Sequence, residues 1–234
     1  MFLVTPGTTL TRAAQSATKT LPIVSVTGNP VGTGLVASLS HPGGNITGLS
    51  LLSGDYSAKW LELLKEIVPK LRRVAALSNP DNSLAAGQID HLRTAAQVLG
   101  LQLTFLSVRP AELETSLAAM TTEHFDGLVV TDDPFIATLV PKVIALAADR
   151  RLPAVYAFSG IVQEGALMSY SSNFFAMYRR AAGYVDRILK GTPPAELPIE
   201  QATEVALNIN LKTAKELGLN VSPTLLATAD EVIE

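Results

Sequence analysis

The sequence predicts an α/β protein in which parallel sheets carry helices on both faces. Short, continuously apolar runs such as Gly127–Thr131 alternate with longer helical stretches, and Gly, Pro or Asn separate them. Strands that are buried on both faces have this unbroken apolar pattern, and βα alternation places them side by side in parallel. The 234 residues are 47% apolar and only 17% charged, so the chain can form a sizeable core.

The first third of the chain predicts three strands and two helices. Pro22 must end the first helix, and Gly28-Asn29-Pro30 breaks the second strand. The predicted strands are Phe2–Thr5, Pro22–Val26 and Asn45–Ser50, and the predicted helices are Thr9–Lys19 and Val31–Ser40.

The middle of the chain continues the alternation. Apolar residues from Tyr56 to Ile67 recur at helical spacing, which predicts an amphipathic helix that ends at Pro69. A second such helix, with Ala85 and Leu99 on its apolar face, ends at Gly100. The remaining predicted elements are the strands Val74–Ser78, Leu101–Val108, Gly127–Thr131 and Ala154–Phe158 and the helices Ala111–Thr121 and Ile136–Arg150.

The last third has shorter elements around one long helix. Asn173 predicts the N-cap of that helix, Phe174–Lys190, and the Pro-containing stretch from Gly191 to Pro194 ends it. The other predicted elements are the strands Ala166–Tyr170 and Val205–Ile209 and the helices Leu211–Leu217 and Thr224–Val232.

Composition and motifs exclude several classes of function. The net charge of −3 gives no basic face for a phosphate backbone, so no nucleic-acid partner is expected. With no cysteine, the chain has no thiol nucleophile, iron–sulfur cluster or disulfide. His41, His91 and His124 lack the spacing of metal ligands. The glycines from Gly28 to Gly34 do not fit G-x-G-x-x-G, and no nucleophile motif occurs, so we expect no cofactor, no metal and no catalysis.

The N-terminal strand ends carry residues suited to an anion. Thr5, Gly7, Thr8 and Thr9 lie where a strand gives way to a helix, so backbone N–H groups, the helix dipole and hydroxyls would converge there. A helix N-cap is the simpler role for Thr8 or Thr9. The next strand ends similarly, and the candidate ligand-binding residues at that second strand end are Thr27 and Asn29.

Further candidates follow the later strands. Asn79, Asn82 and Ser83 offer neutral polar groups, with turn formation as an equal alternative. Asp132 and Asp133 point in opposite directions if extended, so one would face a ligand ammonium while the other caps the next helix. Two strand aromatics, Tyr156 and Phe158, would wall the site or simply belong to the core. Such a set suits a small zwitterion such as an amino acid.

The chain resembles a bacterial family of ABC-transporter substrate-binding proteins with the type I periplasmic-binding fold, in which the tryptophan/phenylalanine-binding type is the best known. The stretch Pro22–Ser50, with its block Pro42-Gly43-Gly44-Asn45-Ile46-Thr47-Gly48, carries most of the resemblance. Further matches are Ser78–Ser83, Thr131–Asp133, Gly165–Ser171 and Ile209–Leu219.

The resemblance implies two lobes that close on a small ligand and deliver it to a membrane permease. The N-terminal lobe would comprise residues 1–50 and 172–195, and the C-terminal lobe residues 51–171 and 196–234. The first lobe would hold the ligand carboxylate, and Asn82, Ser83 and Asp132 or Asp133 would close over it. Family members place an export signal and about two further βα units before Phe2, so the N-terminal lobe is expected to be incomplete, without a visible signal peptide.

Two consequences follow from the resemblance. The full-length form would be periplasmic or lipid-anchored outside the cytoplasm, and the incomplete lobe would favour homo-oligomers through its open sheet edge. A ligand-sensing regulatory module of the same fold is the alternative. The absence of a helix-turn-helix or basic segment before the first strand disfavours it, unless the N-terminal part that is expected to be missing held one.

Overall fold

The computed structural model describes residues 1–51, 56–82, 85–109, 112–201 and 205–234. In chain order its strands are β1 (Leu3–Pro6), β2 (Ile23–Gly28), β3 (Ile46–Leu51), β4 (Arg73–Ser78), β5 (Gln102–Ser107), β6 (Gly127–Val130), β7 (Ala154–Tyr156), β8 (Met168–Ser172), β9 (Glu200–Gln201), β10 (Val205–Asn210) and β11 (Glu231–Ile233). Its α-helices are α1 (Gly7–Ala17), α2 (Ser57–Ile67), α3 (Ala85–Leu99), α4 (Leu113–Thr122), α5 (Pro134–Asp149), α6 (Phe174–Leu189), α7 (Leu211–Glu216) and α8 (Pro223–Thr228).

The chain forms two compact units. The first unit comprises residues 1–53, 82–84 and 173–204, and the second comprises residues 54–81, 85–172 and 205–234. Each unit has its own sheet, so each buries its own apolar core. The two-lobed α/β architecture that the sequence predicts is confirmed.

The first unit is built on a four-stranded parallel sheet in the order β1-β2-β3-β9. One face of the sheet presents Val24 and Leu49 to α6, which buries Met177 and Tyr184 against them. On the other face, Ile23 and Ile46 form a separate core with Leu35, Val36 and Ile199. Both faces of β2 and β3 are therefore buried, which explains why neither strand carries a charged residue.

Gly48 is required where β2 and β3 pair. Its φ is +134°, and a Cβ at this position would lie 2.1 Å from the backbone oxygen of Ser25 on the neighbouring strand. Only glycine allows the two strands to approach this closely.

The second unit is built on a seven-stranded sheet in the order β11-β10-β8-β7-β6-β4-β5. Central strands pack Leu77, Val130 and Tyr156 against Ile136 and Val140 of α5. Strands β4 to β8 are parallel to one another, whereas β10 runs antiparallel to β8, with Val205 opposite Ser172, and β11 runs parallel to β10. The sequence predicted parallel strands throughout. The chain leaves the second unit at the end of β8, and when it returns as β10 it runs back alongside that strand, which makes the pair antiparallel.

The predicted helix Val31–Ser40 is wrong. Residues 30–37 form turns and bends, in which the backbone oxygen of Pro30 accepts from the backbone N–H of Leu35 at 2.9 Å. Gly34 has a φ of +71°, and Asn29 has a φ of +43° with its side-chain oxygen accepting from the backbone N–H of Gly32. Two left-handed residues and the Asn29 side-chain bond fold the segment back on itself in place of a helix.

The predicted helix Thr224–Val232 is also wrong in its second half. Helix α8 ends at Thr228, and Glu231–Ile233 forms β11, parallel to β10. The Asp230 carboxylate accepts from the backbone N–H of Leu207, and the backbone N–H of Asp230 donates to the oxygen of Leu207, both at 2.8 Å. This tertiary pairing overrides the local helical pattern.

The predicted lobe boundary after residue 195 needs correction. Residues 200–201 form β9, which extends the sheet of the first unit beside β3. The Thr47 hydroxyl donates to the backbone oxygen of Leu197 at 2.7 Å, and the backbone N–H of Ile199 donates to Leu39. These bonds attach residues 196–201 to the first unit instead of the second.

Candidate functional site

In the first unit, a sharp turn joins β1 to α1. The helix begins at Gly7, whose φ is +71°, directly after the last strand residue, Pro6. Pro6 occupies the N-cap and has no side-chain acceptor, so no side chain caps the N-terminus of α1. Thr8 and Thr9 lie inside the helix, which excludes the N-cap role for either. The positive end of the helix dipole is thus not neutralised by a side-chain cap.

A pair of buried threonine hydroxyls lies beside this helix start. The hydroxyl oxygens of Thr8 and Thr27 are 2.7 Å apart, and the two residues are 4% and 0% exposed. Each hydroxyl has one proton to donate, and the bond between them uses only one of the two. In the described part of the chain neither hydroxyl has another partner, so one donor is available for a further acceptor.

Thr5 serves the scaffold of this turn. The Thr11 hydroxyl donates to the backbone oxygen of Gly7 at 2.7 Å, which uses its only proton. In the 2.8 Å contact between the two hydroxyls, Thr5 must therefore be the donor and Thr11 the acceptor. Both protons are used, so this pair fixes the end of β1 against α1.

Two other predicted residues of the first unit are placed differently. Thr9 is exposed on the surface of α1. Asn29 is also exposed, and its side chain is committed to the turn that follows β2. The geometry therefore favours the turn-forming role for Asn29.

In the second unit, Asp133 is the N-cap of α5. Its carboxylate accepts from the backbone N–H groups of Phe135 and Ile136 at 2.8 and 2.9 Å, and from the Asn79 side-chain amide at 3.1 Å. The Asn79 side-chain oxygen in turn accepts from the backbone N–H of Asp81. Asn79 and Asp133 thus hold together the ends of β4 and β6.

The neighbouring carboxylate, Asp132, has no such role. Its backbone oxygen accepts from the Gln88 side chain at 3.4 Å, but among the described residues its carboxylate has no hydrogen-bond partner. Burial, and to a lesser degree the charge of Asp133, raises the pKa of the Asp132 carboxyl to about 7. The residue itself remains partly exposed. An unpaired, desolvated carboxyl at a strand end is a strong candidate for binding a cation.

The side chains of Tyr56, Trp60 and Tyr170 form an aromatic cluster in the second unit, and nothing in the sequence pattern connects this cluster with Asp132. The Tyr56 ring makes edge contacts with Trp60 and Tyr170 at centroid distances of 5.7 and 6.0 Å. Burial raises the pKa of the Tyr56 phenol, and the nearby Asp132 charge raises it further. Helical spacing explained Tyr56 as a core residue, and no local signal in the sequence connects it with position 132.

The remaining candidates are less informative. Phe158 is partly buried and packs against the core of the second unit, which fits the core alternative. Asn82 is 9% exposed and belongs to the first unit, and Ser83 lies outside the described residues. Within the described ranges, no group of His, Cys, Asp and Glu could hold a metal ion. No described helix has the length and hydropathy to cross a membrane.

Two α/β units, each with polar groups at the carboxyl ends of its strands, define the class of two-lobed solute-binding proteins. The chain belongs to the family of ABC transporter substrate binding proteins, whose model matches residues 1–233. The family resemblance seen in the sequence is confirmed.

Three relatives illustrate the similarity. The chain is 27% identical to a Streptococcus pneumonia ABC domain solved in complex with L-Trp, with a TM-score of 0.87, covering 99% of this chain and 78% of that one. A conserved domain protein from Vibrio cholerae is 30% identical with a TM-score of 0.85, covering 98% and 78%. A tyrosine-binding protein from Clostridioides difficile is 28% identical over 211 residues, or 89% of this chain. The chain spans about 60% of the length of that curated relative.

At the level of the family, then, this chain belongs with binding proteins and not with enzymes.

Proposed function

We propose that the protein is the solute-binding component of an ABC import system and that its ligand is an amino acid. The observation that carries the proposal is the Asp132 carboxylate, which is desolvated and has no hydrogen-bond partner in the described chain. The hydroxyl pair of Thr8 and Thr27 supports it, because the pair offers a hydrogen-bond donor for the carboxylate of the ligand.

The Asp132 carboxylate is the proposed binding group for the ammonium of the ligand. A carboxylate that is removed from water without a partner costs free energy, and a bound cation offsets that cost. An α-ammonium group has three N–H donors and a full positive charge, so it fits an acceptor-only carboxylate. Asp133 is not available for this role because helix α5 uses its oxygens.

The start of α1 is the proposed binding region for the carboxylate of the ligand. The available hydroxyl proton of the Thr8–Thr27 pair and the uncapped N-terminus of α1 are both donors to an anion. An amino acid carries both charges in one small molecule. We propose that the two units close over it by a hinge movement, with α1 facing the carboxylate and Asp132 the ammonium.

The relatives narrow the choice of ligand. One is a tyrosine-binding protein and another was solved with L-Trp, so aromatic amino acids are the first ligands to test. Delivery of the ligand to a membrane permease, and a location outside the cytoplasmic membrane, complete the proposed role.

Calorimetric titration of L-Trp and L-Tyr into the Asp132→Asn variant tests the ammonium pole. We expect the variant to bind at least about 30-fold more weakly than the wild type, because a charge partner of the ligand is lost. Asp149→Asn, on the exposed end of α5, is the matched control and should bind normally. Wild-type affinity in Asp132→Asn would contradict the proposal.

Thr8→Val tests the carboxylate pole. We expect about tenfold weaker binding of L-Trp and unchanged binding of tryptamine, which has the ammonium but no carboxylate. Thr20→Val, which alters an exposed threonine of the same unit, should leave both affinities unchanged. Equal losses for both ligands would show that the Thr8 hydroxyl is structural.

The import role is tested separately from ligand binding. Neighbouring genes for a permease and an ATPase, and uptake of labelled amino acid that depends on all three proteins, are the expected results. If the neighbouring genes encode no transporter and the chain is joined to a DNA-binding domain, the alternative of a regulatory module would be favoured.

A further inference from the structure

The second unit has a groove at the end of its sheet opposite to Asp132. The groove has a volume of about 600 Å³, and Arg151, Gly165 and Asn210 are among the residues that line it. Arg151 precedes β7 and Gly165 precedes β8, at the amino ends of two parallel strands. Asn210 ends β10, which runs antiparallel to β8. Asp132 follows the carboxyl end of β6, which is parallel to β7, so the groove is separate from the proposed amino-acid site.

Aliphatic side chains form the apolar part of the groove wall. Ile144 and Ala148 lie on α5, Leu217 follows α7, and Ile233 ends β11. A narrower cleft shares Ile144, Ala148 and Leu217 with the groove, and its other walls are mostly apolar. Among the described residues, Tyr156 lines the cleft, but no aromatic ring lines the groove itself. A wall of this kind suits an alkyl chain better than a ring that needs a stacking partner.

Arg151 is held at the exposed rim of the groove. Its φ is +51°, a left-handed conformation that glycine adopts most easily after a helix. The backbone N–H of Leu152 donates to the oxygen of Ala147 at 2.8 Å and closes the end of α5. The Arg151 guanidinium donates to the backbone oxygen of Glu216 at 2.6 Å. The arginine therefore occupies this position at the expense of backbone strain, and the bond to Glu216 fixes where its charge lies.

Arg151 and Lys212 are the two cations that line the groove. A guanidinium has five N–H donors, and Arg151 uses one of them on Glu216. The carboxylates of Glu164 and Glu216 also line the groove, but within the described ranges no ion pair joins either of them to Arg151 or Lys212. Both cations therefore keep donors for a ligand. A guanidinium binds a carboxylate through two parallel N–H···O bonds, which makes a carboxylate the best match.

We propose that the groove is a second ligand site, which binds a small aliphatic carboxylate. Arg151 and Lys212 hold the carboxylate, and the alkyl chain lies against the aliphatic wall. The inference goes beyond the proposed amino-acid binding and does not depend on it. The two sites differ in what they require, because the groove needs a carboxylate and an alkyl chain but no ammonium group.

Hexanoate is the probe, and two related molecules each remove one of its features. Hexan-1-ol keeps the alkyl chain without the charge, and acetate keeps the charge without the chain. Titrations followed by NMR of the methyl groups give both the affinity and the place of binding. We expect hexanoate to bind with a Kd below about 1 mM, and the other two at least about tenfold more weakly. The methyl signals of Ile144, Leu217 and Ile233 should shift, whereas the indole signal of Trp60 should not.

Two variants test the two parts of the groove. Arg151→Gln should bind hexanoate about tenfold more weakly and hexan-1-ol as the wild type does, because only the charge is lost. Arg150→Gln is the matched control, since Arg150 is the neighbouring exposed arginine and is not among the residues that line the groove. Ala148→Phe should weaken the binding of both molecules at least about tenfold, because the added ring fills the groove. It leaves the bond from Arg151 to Glu216 in place, so it decides the question if Arg151→Gln does not fold.

A Kd for hexanoate above about 1 mM would overturn the inference, as would equal affinities for hexanoate and hexan-1-ol. Unchanged hexanoate binding in Ala148→Phe would overturn it as well. If Asp132→Asn or saturating L-Trp weakens hexanoate binding more than about threefold, hexanoate occupies the amino-acid site and the second site is rejected. If hexanoate binds as expected and the wild type binds no amino acid, the proposed function is rejected and the inference about the groove stands.

Discussion

Replacing Asp132 by Asn should make the ligand-free protein more stable at neutral and alkaline pH. The folded protein holds the Asp132 proton with a pKa of about 7, whereas an aspartate in an unfolded chain has a pKa of about 3.9. Between these two values the folded state binds more protons than the unfolded state. The free energy of unfolding therefore falls as the pH rises through this window, and it levels off above pH 7.

The size of the effect follows from the difference between the two pKa values. A difference of about 3 units corresponds to a maximum of about 4 kcal/mol at high pH, of which about 2.5 kcal/mol is lost between pH 5 and pH 8. For a protein of this length, that loss lowers Tm by about 5–10 °C. Asn carries no charge at any of these pH values, so the variant should lack this part of the pH dependence.

Intrinsic fluorescence provides the assay, because Trp60 is the only tryptophan and lies in the same unit as Asp132. Thermal melts of the wild type, Asp132→Asn and Asp149→Asn from pH 5 to pH 8 give the comparison. The Tm difference between Asp132→Asn and the wild type should increase with pH, while Asp149→Asn should follow the wild type. A difference that stays constant across this range would refute a raised pKa at Asp132.

Three further predictions concern binding, packing and assembly. The wild type should bind L-Trp about 30-fold more weakly at pH 5.5 than at pH 8, because protonated Asp132 cannot pair with an ammonium, and titrations of Asp132→Asn should show no such dependence. Gly48→Ala should lower the free energy of unfolding by about 2–4 kcal/mol, because the added Cβ would clash with the neighbouring strand. Gly183→Ala, where the Cβ would lie in open space on α6, should raise the free energy of unfolding by about 0.5–1 kcal/mol. Urea denaturation measures both changes. The protein should self-associate in sedimentation velocity at high concentration through the free edge of β1, where Val4 is 44% exposed, and Val4→Lys should reduce the association. A wild type that stays monomeric at high concentration would contradict the last prediction.

The sequence predicted most of the central elements because their signals are local. Residues 127–130 are apolar without interruption, and the strand that they form is buried on both faces. Helix α6 was predicted closely because Asn173 caps it and the chain turns at Gly191. Where caps, glycines and hydrophobic spacing agree, the local pattern and the tertiary structure agree as well.

The errors arose where distant residues determine the local structure. Strand β9 has only two residues and exists because β3 offers a free edge, which no window of sequence can reveal. Strand β11 depends on the pairing of Asp230 with Leu207, 23 positions away.

In the candidate site, too, the sequence predicted local roles but not contacts between distant residues. The sequence predicted that one of two adjacent aspartates caps a helix, and Asp133 does so. It did not predict that the charge of Asp132 would act on Tyr56, because the two residues are 76 positions apart in the chain and only the folded second unit couples them.

Asp132 and Asp133 are neighbours in the chain, but their side chains have different roles. Asp133 is tied to three donors, so few replacements there would leave helix α5 anchored. The Asp132 side chain takes no part in that anchoring, so a substitution at position 132 should leave the helix start intact. If Asp132 binds the ligand as proposed, ligand preference can change at this position while Asp133 keeps the architecture the same.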